Sequence, residues 1–421
     1  MRTLYLFFIA LFISGIATAG CPPGRYNTEV FTGYTKTTVT YSSVYSLQMD
    51  IFQPTGDTLA ERPVIILGHG GSFITGNGDR TNDSTIIWLC QNFAKRGYVT
   101  VSIDYRTTSP LTLLDSASAV DEVIKAIGDG KAAIRYFVKD RATTNTYKID
   151  TNNIFIGGNS AGAVLYMHVG YLDSLGECPP NIAAAMMANG GFEGNSGNAG
   201  YTTRFKAIIN LAGALNQSSF AGIGDKPSVN AQGTNDNVVP YYCGYPLSGT
   251  VHVNLCGLGT LEPVYVANGI YHMSHIFPGD GHVPWSTNAA KFFTVDSMIN
   301  VFLYQMVCTE GDGIHEAVTG TVDSISPMLT SGLVNIYATV SIAEVSVFPN
   351  PASELVKIKA TVPIAEVTVY DQTGRTVLAS GNVGNANYEM NTSHLAKGIY
   401  FLHIRYADQV NAPVVKRLVI E

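Results

Sequence analysis

The stretch NIFIGGNSAGAVLYM, residues 153–167, decides the fold, because it joins a strand-like apolar run to a helix-like run through a very tight turn. At that turn Ser160 stands between Gly158 and Gly162. Such a turn holds the serine above the edge of a sheet, where a β-carbon two residues before or after it would clash. The pattern predicts a nucleophilic serine, and a serine that only caps the helix is the alternative.

Strand-like and helix-like runs alternate around this turn, from about residue 22 to residue 308. PVIILGHGG (63–71) is a β-rich run that ends in glycines, STIIWLCQNFAKRG (84–97) is amphipathic, and YVTVSIDYR (98–106) is strand-like again. This rhythm predicts an α/β fold with a mostly parallel sheet flanked by helices. Ligand sites in such sheets lie beyond the carboxyl ends of the strands.

A serine hydroxyl is a poor nucleophile unless a general base lies within hydrogen-bond reach. His282 follows the last predicted strand, in the Gly-rich loop FPGDGHVPW (277–285). His272 and His275 lie inside that strand, and His168 lies on the helix after the nucleophile, so structural roles are expected for them. We therefore predict His282 as the base.

A carboxylate must hold that imidazole in one tautomer and offset its positive charge. AQGTNDNVVPYY (231–242) ends a strand in a turn at Asp236, which gives the order Ser…Asp…His of the nucleophile-elbow hydrolases. Asp225 precedes that strand, and Asp280 is so close to His282 that it would reach the imidazole from the wrong side. Asp236 is therefore the predicted acid.

Backbone N–H groups must stabilise the negative oxygen that develops during acyl transfer. ILGHGGSFITG (66–76) directly follows a predicted strand, so its turn can face the serine, although a plain tight turn is the alternative. The predicted oxyanion donors are Gly71, Ser72 and Ala161, with His69 and Gly70 in the supporting loop.

Length, composition and charge limit the classes of protein to which the chain can belong. At 421 residues, with 46% hydrophobic and 14% charged residues, the chain is expected to fold into two or more domains. The net charge of −7 argues against nucleic acid or an anionic membrane as the main partner. No cysteine or histidine spacing typical of a metal site is recognised, and the chemistry above requires neither metal nor organic cofactor.

Residues 1–19 have one early arginine, an apolar core and a small-residue site ending at Ala19, which together predict a secretory signal peptide. A stable membrane span is not expected, because this run is short and no other stretch is sufficiently long and apolar. Lipidation at Cys21 is an alternative. Export permits disulfides. Six cysteines allow 15 full pairings, among which Cys243–Cys256 is the first choice and Cys21–Cys308 is a further candidate, with Cys90 as a buried free thiol.

The pattern changes after residue 308. Residues 309–344 are rich in Gly, Thr and Ser and are predicted to be a linker, with extra strands as the alternative. Residues 345–421 carry short alternating strands separated by turn formers, which predicts a small all-β sandwich. The expected organisation is therefore a signal peptide (1–19), an α/β catalytic domain (20–308), the linker, and the sandwich.

The first domain resembles the α/β-hydrolase superfamily, specifically its carboxylesterases with an HGG-type oxyanion loop, such as the hormone-sensitive-lipase-like and feruloyl-esterase-like groups. The motifs GHGGSF, VSIDYR, DGKAAIRYF, GGNSAGA, QGTNDNVVPY and GDGHVPW occur in the family order, although HGGS replaces the commoner HGGG. The resemblance implies Ser160, Asp236 and His282 as the triad and a structural role for Asp104-Tyr105-Arg106.

The end of the chain resembles the type A C-terminal sorting domain of the type IX secretion system found in Bacteroidetes. VSVFPNPASELVKI, VTVYDQTGRTV, LAKGIYFLHI and the final KRLVIE carry this resemblance. It implies secretion or display on the cell surface, with the type IX machinery as a partner, and disfavours lipidation at Cys21. A carbohydrate- or surface-binding sandwich is the alternative.

The expected activity is therefore that of a secreted serine carboxylesterase. A feruloyl or acetyl polysaccharide esterase and a polyester hydrolase are alternatives, as is an amidase or peptidase that uses the same triad. An adhesion protein on a hydrolase scaffold is the non-enzymatic alternative, although such a protein would be expected to lack the serine or the histidine. The Gly/Asn-rich segment 189–201 is a possible flap over the site.

Overall fold

A computed structural model describes the chain in two regions, which we treat separately. The described residues are 21–308, 345–371, 375–381, 383–407 and 414–421. The predicted signal peptide and linker lie outside these residues. None of the helices in the described ranges has both the length and the apolar character that a membrane span requires.

The first region is built on an eight-stranded sheet. Its strands are β1 (Tyr34–Ser42), β2 (Leu47–Pro54), β3 (Arg62–Gly68), β4 (Val99–Ile103), β5 (Ile149–Asn159), β6 (Ala207–Leu211), β7 (Ser228–Gly233) and β10 (His272–Phe277), with a separate ladder of β8 (Cys243–Gly244) and β9 (Leu255–Cys256). The order across the sheet is β1-β2-β4-β3-β5-β6-β7-β10. β1 and β2 run antiparallel to their neighbours, and all other pairs are parallel, as the alternating pattern predicts.

Helices cover both faces of this sheet, so its central strands are buried on both sides. Successive side chains of β3 therefore enter opposite cores: Val64 and Ile66 join one cluster, and Ile65 and Leu67 join the other. The helices are α1 (Ser84–Lys95), α2 (Ser116–Ala142), α3 (Ala161–Tyr171), α4 (Pro180–Ala188), the short turn α5 (Pro246–Gly249), α6 (Leu258–Ala267) and α7 (Ala289–Cys308).

The second region is an antiparallel six-stranded sheet, which confirms the predicted all-β fold of the C-terminal part. The strands are β11 (Val345–Phe348), β12 (Leu355–Tyr370), β13 (Thr376–Ser380), β14 (Asn385–Asn391), β15 (Gly398–Tyr406) and β16 (Val414–Ile420). The first half of β12 pairs with β11 and β14, and its second half pairs with β13 and β15. Buried side chains from both halves, such as Ile358 and Val369, contribute to one core.

Both expected disulfides are present. Cys21 is bonded to Cys308, 287 residues later, and Cys243 to Cys256 across the β8–β9 ladder. A sulfur in a disulfide cannot also carry a thioether lipid, so this bond argues against lipidation at Cys21. Cys90 is a buried free thiol, as predicted, and burial raises its pKa.

The Cys21–Cys308 bond ties the first described residue to the end of α7. Replacing both cysteines by serine is expected to lower the free energy of unfolding of this region by about 2–4 kcal/mol, because the bond restricts a very long loop in the unfolded chain. Urea denaturation without reductant measures the effect. Cys178→Ser is the control, since Cys178 is free, and equal stability of the double variant and the control would contradict this role.

Candidate active site

The loops that carry the predicted site residues all leave the same edge of the sheet. They follow the carboxyl ends of β3, β5, β7 and β10, which lie in one parallel array. Parallel strands present their carboxyl ends together, so residues that are far apart in sequence converge there. This arrangement brings Ser160, Asp236 and His282 to one place.

Ser160 occupies a strained turn between β5 and α3, with φ +55° and ψ −117°. The turn is possible because Gly158 and Gly162, two positions before and after Ser160, have no side chains. A β-carbon at Gly158 would lie 2.5 Å from a backbone atom of Gly162, and one at Gly162 would lie 2.1 Å from the carbonyl oxygen of Gly68. These short distances agree with the clash expected from the sequence. They also show that the start of α3 lies directly against the end of β3 and the loop that follows it.

A continuous chain of hydrogen bonds joins the three predicted residues. His282 Nε2 lies 2.7 Å from Ser160 Oγ, and His282 Nδ1 lies 2.7 Å from Asp236 Oδ2. A carboxylate only accepts, so the partners assign the proton to Nδ1 and leave Nε2 free to accept from the serine hydroxyl. The three side chains are nearly buried, with 15% of the His282 side chain exposed and none of that of Asp236.

The carboxylate of Asp236 is fixed by its own loop. Its Oδ1 accepts hydrogen bonds from the N–H groups of Val238 and Val239, both at 2.9 Å, and Oδ2 faces the imidazole. Gln232 Nε2 is a further donor to Oδ2, at 3.4 Å. Because the loop satisfies one oxygen, the other keeps a single orientation toward His282.

The residues set aside during sequence analysis have other partners. Asp280 pairs with Lys291, and Asp225 accepts from the N–H of Gly222. His272 Nδ1 bonds the carbonyl oxygen of Ile270 at 2.9 Å. His168 donates through Nδ1 to Val164 O and accepts at Nε2 from the N–H of Asn216. These partners are structural, as expected.

The loop after β3 has an unusual backbone. Gly71 has φ +120°, and Ser72 and Phe73 have φ +55° and +60°, which non-glycine residues seldom adopt. In the described part of the chain, the N–H groups of Gly71, Ser72 and Ala161 donate no hydrogen bond. The N–H of Gly70, in contrast, donates to Asp83 Oδ2 at 2.8 Å. The three predicted donors are therefore uncommitted, whereas Gly70 is held in place.

His69 supports this loop through its contacts with Tyr105. Its ring stacks on Tyr105 with centroids 4.3 Å apart, and the Tyr105 hydroxyl donates to the His69 carbonyl oxygen at 2.8 Å. Burial lowers the pKa of His69, so its imidazole is neutral. Asp104 pairs with Arg80, and Arg106 pairs with Asp129, which agrees with the structural role that the resemblance implies for residues 104–106.

A second chain of hydrogen bonds, which sequence analysis missed, runs beside the first. Asp83 Oδ2 accepts from Gly70 N–H and from Asn159 Nδ2 at 3.0 Å, while Asn159 Oδ1 accepts from Trp285 Nε1 at 3.3 Å. This second chain links three segments: the loop after β3, through Gly70; the turn at Ser160, through Asn159; and the loop that carries His282, through Trp285. The only sequence signal is the helix-capping position of Asp83, whose Oδ1 accepts from Ile86 N–H.

The interpretation of segment 189–201 as a flap is wrong. None of these residues lines the cavity at Ser160. Buried polar side chains of α2 hold the segment instead: Lys131 donates to Phe192 O, Arg135 to Glu193 O and Gly197 O, and Asp129 accepts from Ser196 Oγ. The glycines and asparagines of the segment lie in turns, and these hydrogen bonds hold the turns in place.

Comparisons with known proteins agree with the fold and the two-part organisation. Residues 49–235 match the family model described as BD-FAE, and residues 346–421 match the Secretion system C-terminal sorting domain. Both resemblances inferred from the sequence are therefore confirmed. No curated protein matches the chain.

Solved structures similar to the chain include an esterase from the Planctomycetes species Thermogutta terrifontis, Est2, in its native form. It is 18% identical, has a TM-score of 0.46, and the match covers 66% of this chain and 95% of that one. The same enzyme phosphoramylated by tabun gives 18% identity and a TM-score of 0.47, with 65% and 96% of the chains covered.

The mostly parallel sheet with helices on both faces gives the first region an α/β-hydrolase-like fold. More particularly, residues 49–235 are similar to the BD-FAE family, and residues 346–421 are similar to the Secretion system C-terminal sorting domain. The sorting domain assigns the protein to the cell surface or the exterior.

The close contact between Gly162 and Gly68 leads to a testable prediction. Gly162→Ala is expected to lower the free energy of unfolding by about 3 kcal/mol or more, because the added methyl group would meet the Gly68 carbonyl and neither backbone can withdraw easily. Gly33→Ala is the control, since a β-carbon there would have only an ordinary contact at 3.7 Å. Urea unfolding curves that coincide for the two variants would contradict the proposed contact.

Proposed function

We propose that the protein is a secreted serine hydrolase of carboxylic esters, with Ser160 as nucleophile, His282 as general base and acid, and Asp236 as the residue that orients His282. The observation that carries the proposal is the continuous Ser160–His282–Asp236 chain, with 2.7 Å at each link. Both distances lie within the range that proton transfer requires. The match to an esterase-family model supports the choice of esters.

The proposed reaction has two halves. Ser160 Oγ attacks the ester carbonyl carbon while its proton passes to His282 Nε2, and Asp236 stabilises the resulting imidazolium. The tetrahedral intermediate then loses the alcohol, which takes the proton from Nε2, and the acyl group stays on Ser160. Water, deprotonated by His282, attacks the acyl-enzyme, and collapse of the second intermediate releases the acid and restores the serine.

The proposed oxyanion donors are the N–H groups of Gly71, Ser72 and Ala161. Two features support them: they make no other hydrogen bond in the described residues, and Ala161 is at the start of α3, where backbone N–H groups have no partner within the helix. Each such donor is typically worth about 2.7–4 kcal/mol of transition-state stabilisation. The preformed loop would avoid the cost of ordering these groups during the reaction.

No metal takes part in this proposal. Among the described residues, no group of three or more His, Cys, Asp or Glu side chains could hold a metal ion. The proposed partners are an ester substrate and the type IX secretion machinery, which would recognise residues 345–421. We also propose that residues 20–308 form the catalytic domain and 309–344 the linker.

Removing the nucleophile tests the proposal. Ser160→Ala is expected to reduce kcat for p-nitrophenyl esters on the order of 10⁶-fold, because no other group can form the acyl-enzyme. Ser219→Ala, which removes an exposed hydroxyl of the same region, is the control and should leave kcat unchanged. Equal rates for the two variants would refute the assignment of the nucleophile.

Asp83 is expected to act as a positioning residue. Asp83→Asn keeps the oxygen that caps α1 but turns an amide N–H₂ toward the two donors Gly70 N–H and Asn159 Nδ2. We expect kcat to fall roughly 10-fold or more with little change in KM, because the loop that bears the oxyanion donors is displaced. Steady-state kinetics and urea unfolding are measured together.

Asp115→Asn is the matched control, because Asp115 caps α2 in the same way but does not contact the oxyanion loop. A loss of stability without a loss of kcat in Asp83→Asn would show that Asp83 only caps the helix.

A further inference from the structure

A second cavity, of about 280 Å³, opens at the edge of the eight-stranded sheet opposite to Ser160. Residues 202–205 and 224–226, which precede β6 and β7, form one part of its wall, and the end of α3 forms another. Lys131 of α2 and Phe192, from the segment once expected to be a flap, complete it. Because it lies where these parallel strands begin, we call it the amino-edge cleft.

The amino-edge cleft lies far from the proposed nucleophile. Ser160 stands just before α3, whereas the first residue of that helix in the cleft wall is Val169. Nine residues of helix correspond to about 13 Å along its axis. The walls of this cleft and of the cavity at Ser160 have Leu172 in common, which lies between the two. The proposed acyl transfer therefore gives no reason for the groups in the cleft.

Lys131 is a buried cation in the cleft wall, with 2% of the residue exposed. Its Nζ donates to Phe192 O at 2.6 Å, which leaves two of the three N–H donors of the ammonium group. Glu193, whose charge acts on Lys131, is bonded to Arg135 instead, and Lys131 forms no ion pair within the described ranges. Burial lowers the pKa of Lys131 to about 8, because its charge is only partly compensated.

Two exposed cations, Arg204 and Lys226, stand at the rim of the cleft. Toward the residues that the structure describes, neither side chain donates a hydrogen bond or forms an ion pair. Asp225 also lines the cleft, but it accepts from the Gly222 N–H of its own loop at 2.6 Å. Burial and the neighbouring Asp173 carboxylate raise the pKa of Asp225. Three cations thus face two carboxylates, which makes the lining positive in a chain of net charge −7.

The rest of the cleft wall is mostly apolar. Phe192 and Phe205 are half-buried, and Val169 and Leu172 are buried beside them. The volume is close to the lower end of the range for small-molecule sites, about 300–1,000 Å³. It is also far larger than the space that one water-sized ion needs, about 10–15 Å³. Charge and shape together therefore favour an anion that carries an apolar body.

From these observations we propose that the amino-edge cleft binds a small organic carboxylate. Lys131 and Arg204 hold its carboxylate group, because a guanidinium binds both oxygens at once and the ammonium group has N–H donors to spare. The apolar body lies against Phe192 and Phe205. A single negative charge balances the excess of one cation in the lining, whereas the two carboxylates of the wall would repel a dianion such as phosphate.

Isothermal titration calorimetry of the full chain with sodium benzoate tests this inference and needs no catalytic activity. Benzoate combines one negative charge with a flat apolar body, and we expect it to bind saturably. Benzamide, which has the same shape without the charge, should bind about 10-fold more weakly or worse, because charge-assisted hydrogen bonds are lost. Inorganic phosphate should also bind more weakly than benzoate. Equal affinity for benzamide and benzoate, or tighter binding of phosphate, would overturn the inference.

Variants locate the bound benzoate. Arg204→Gln removes an exposed charge and is expected to raise the Kd about fivefold. Lys131→Gln removes the buried charge, keeps an N–H donor for Phe192 O, and should raise the Kd about 10-fold or more. Lys139→Gln is the matched control, since Lys139 is an exposed cation of α2 outside the cleft, and its Kd should stay within about twofold of the native value.

Urea unfolding shows whether each variant is folded, and the exposed position of Arg204 keeps the test valid if Lys131→Gln is not. The inference is overturned if benzoate does not bind saturably, or if Arg204→Gln and Lys139→Gln bind it equally well. Equal binding together with competition against p-nitrophenyl esters would place benzoate at Ser160 instead. These outcomes leave the proposed function standing, because the Ser160→Ala assay decides it separately.

Discussion

The close contact between the start of α3 and the end of β3 controls the geometry of the whole site. The register of β3 and β5 pairs Gly68 with Gly158, and Gly162 then crosses over Gly68 at a distance that no β-carbon could fit. Because the loop with the proposed oxyanion donors begins just after Gly68 and the proposed nucleophile, Ser160, stands just before α3, this contact sets the distance between them. Ser160 can thus take its position because Gly68, Gly158 and Gly162 have no side chains.

The strained backbone on each side of this contact is held by the rest of the fold. Ser160, Ser72 and Phe73 all have positive φ, which costs on the order of 1–3 kcal/mol for each residue. Helices on both faces of the sheet fix the flanking strands, and Asp83 bonds the loop to the nucleophile turn. The proposed site is therefore preformed, as stabilisation of a transition-state charge would require.

The sequence was sufficient to predict the α/β fold and the convergence of Ser160, Asp236 and His282, because each of the three follows a strand of one parallel array. Because these strands are parallel, their carboxyl ends lie at one edge of the sheet, and the three residues therefore meet at that edge. β1 was not identified, since most of its side chains are exposed and carry no apolar period. The Asp83–Asn159–Trp285 chain was not foreseeable either, because it depends on distances between loops and not on a motif.

Segment 189–201 shows why composition is a weak guide to mobility. Its glycines and asparagines are typical of an open loop, yet it is fixed by Asp129, Lys131 and Arg135. In the sequence of α2 these charged residues look like ordinary surface charges. They are in fact buried, and burial lowers the pKa of Lys131 to about 8. Only the packed structure distinguishes a solvated charge from one that anchors another segment.

The proposed reacting groups and the apolar cavity at Ser160 are built from different kinds of structure. Loops at the ends of sheet strands carry Ser160, Asp236 and His282, whereas helices and the segment between Cys243 and Cys256 enclose the cavity. That segment has only a two-residue ladder, so the disulfide is its main covalent constraint, and export to an oxidising compartment allows the bond to persist. Substitutions in these walls can therefore change the shape of the cavity without moving the strands that hold Ser160, Asp236 and His282.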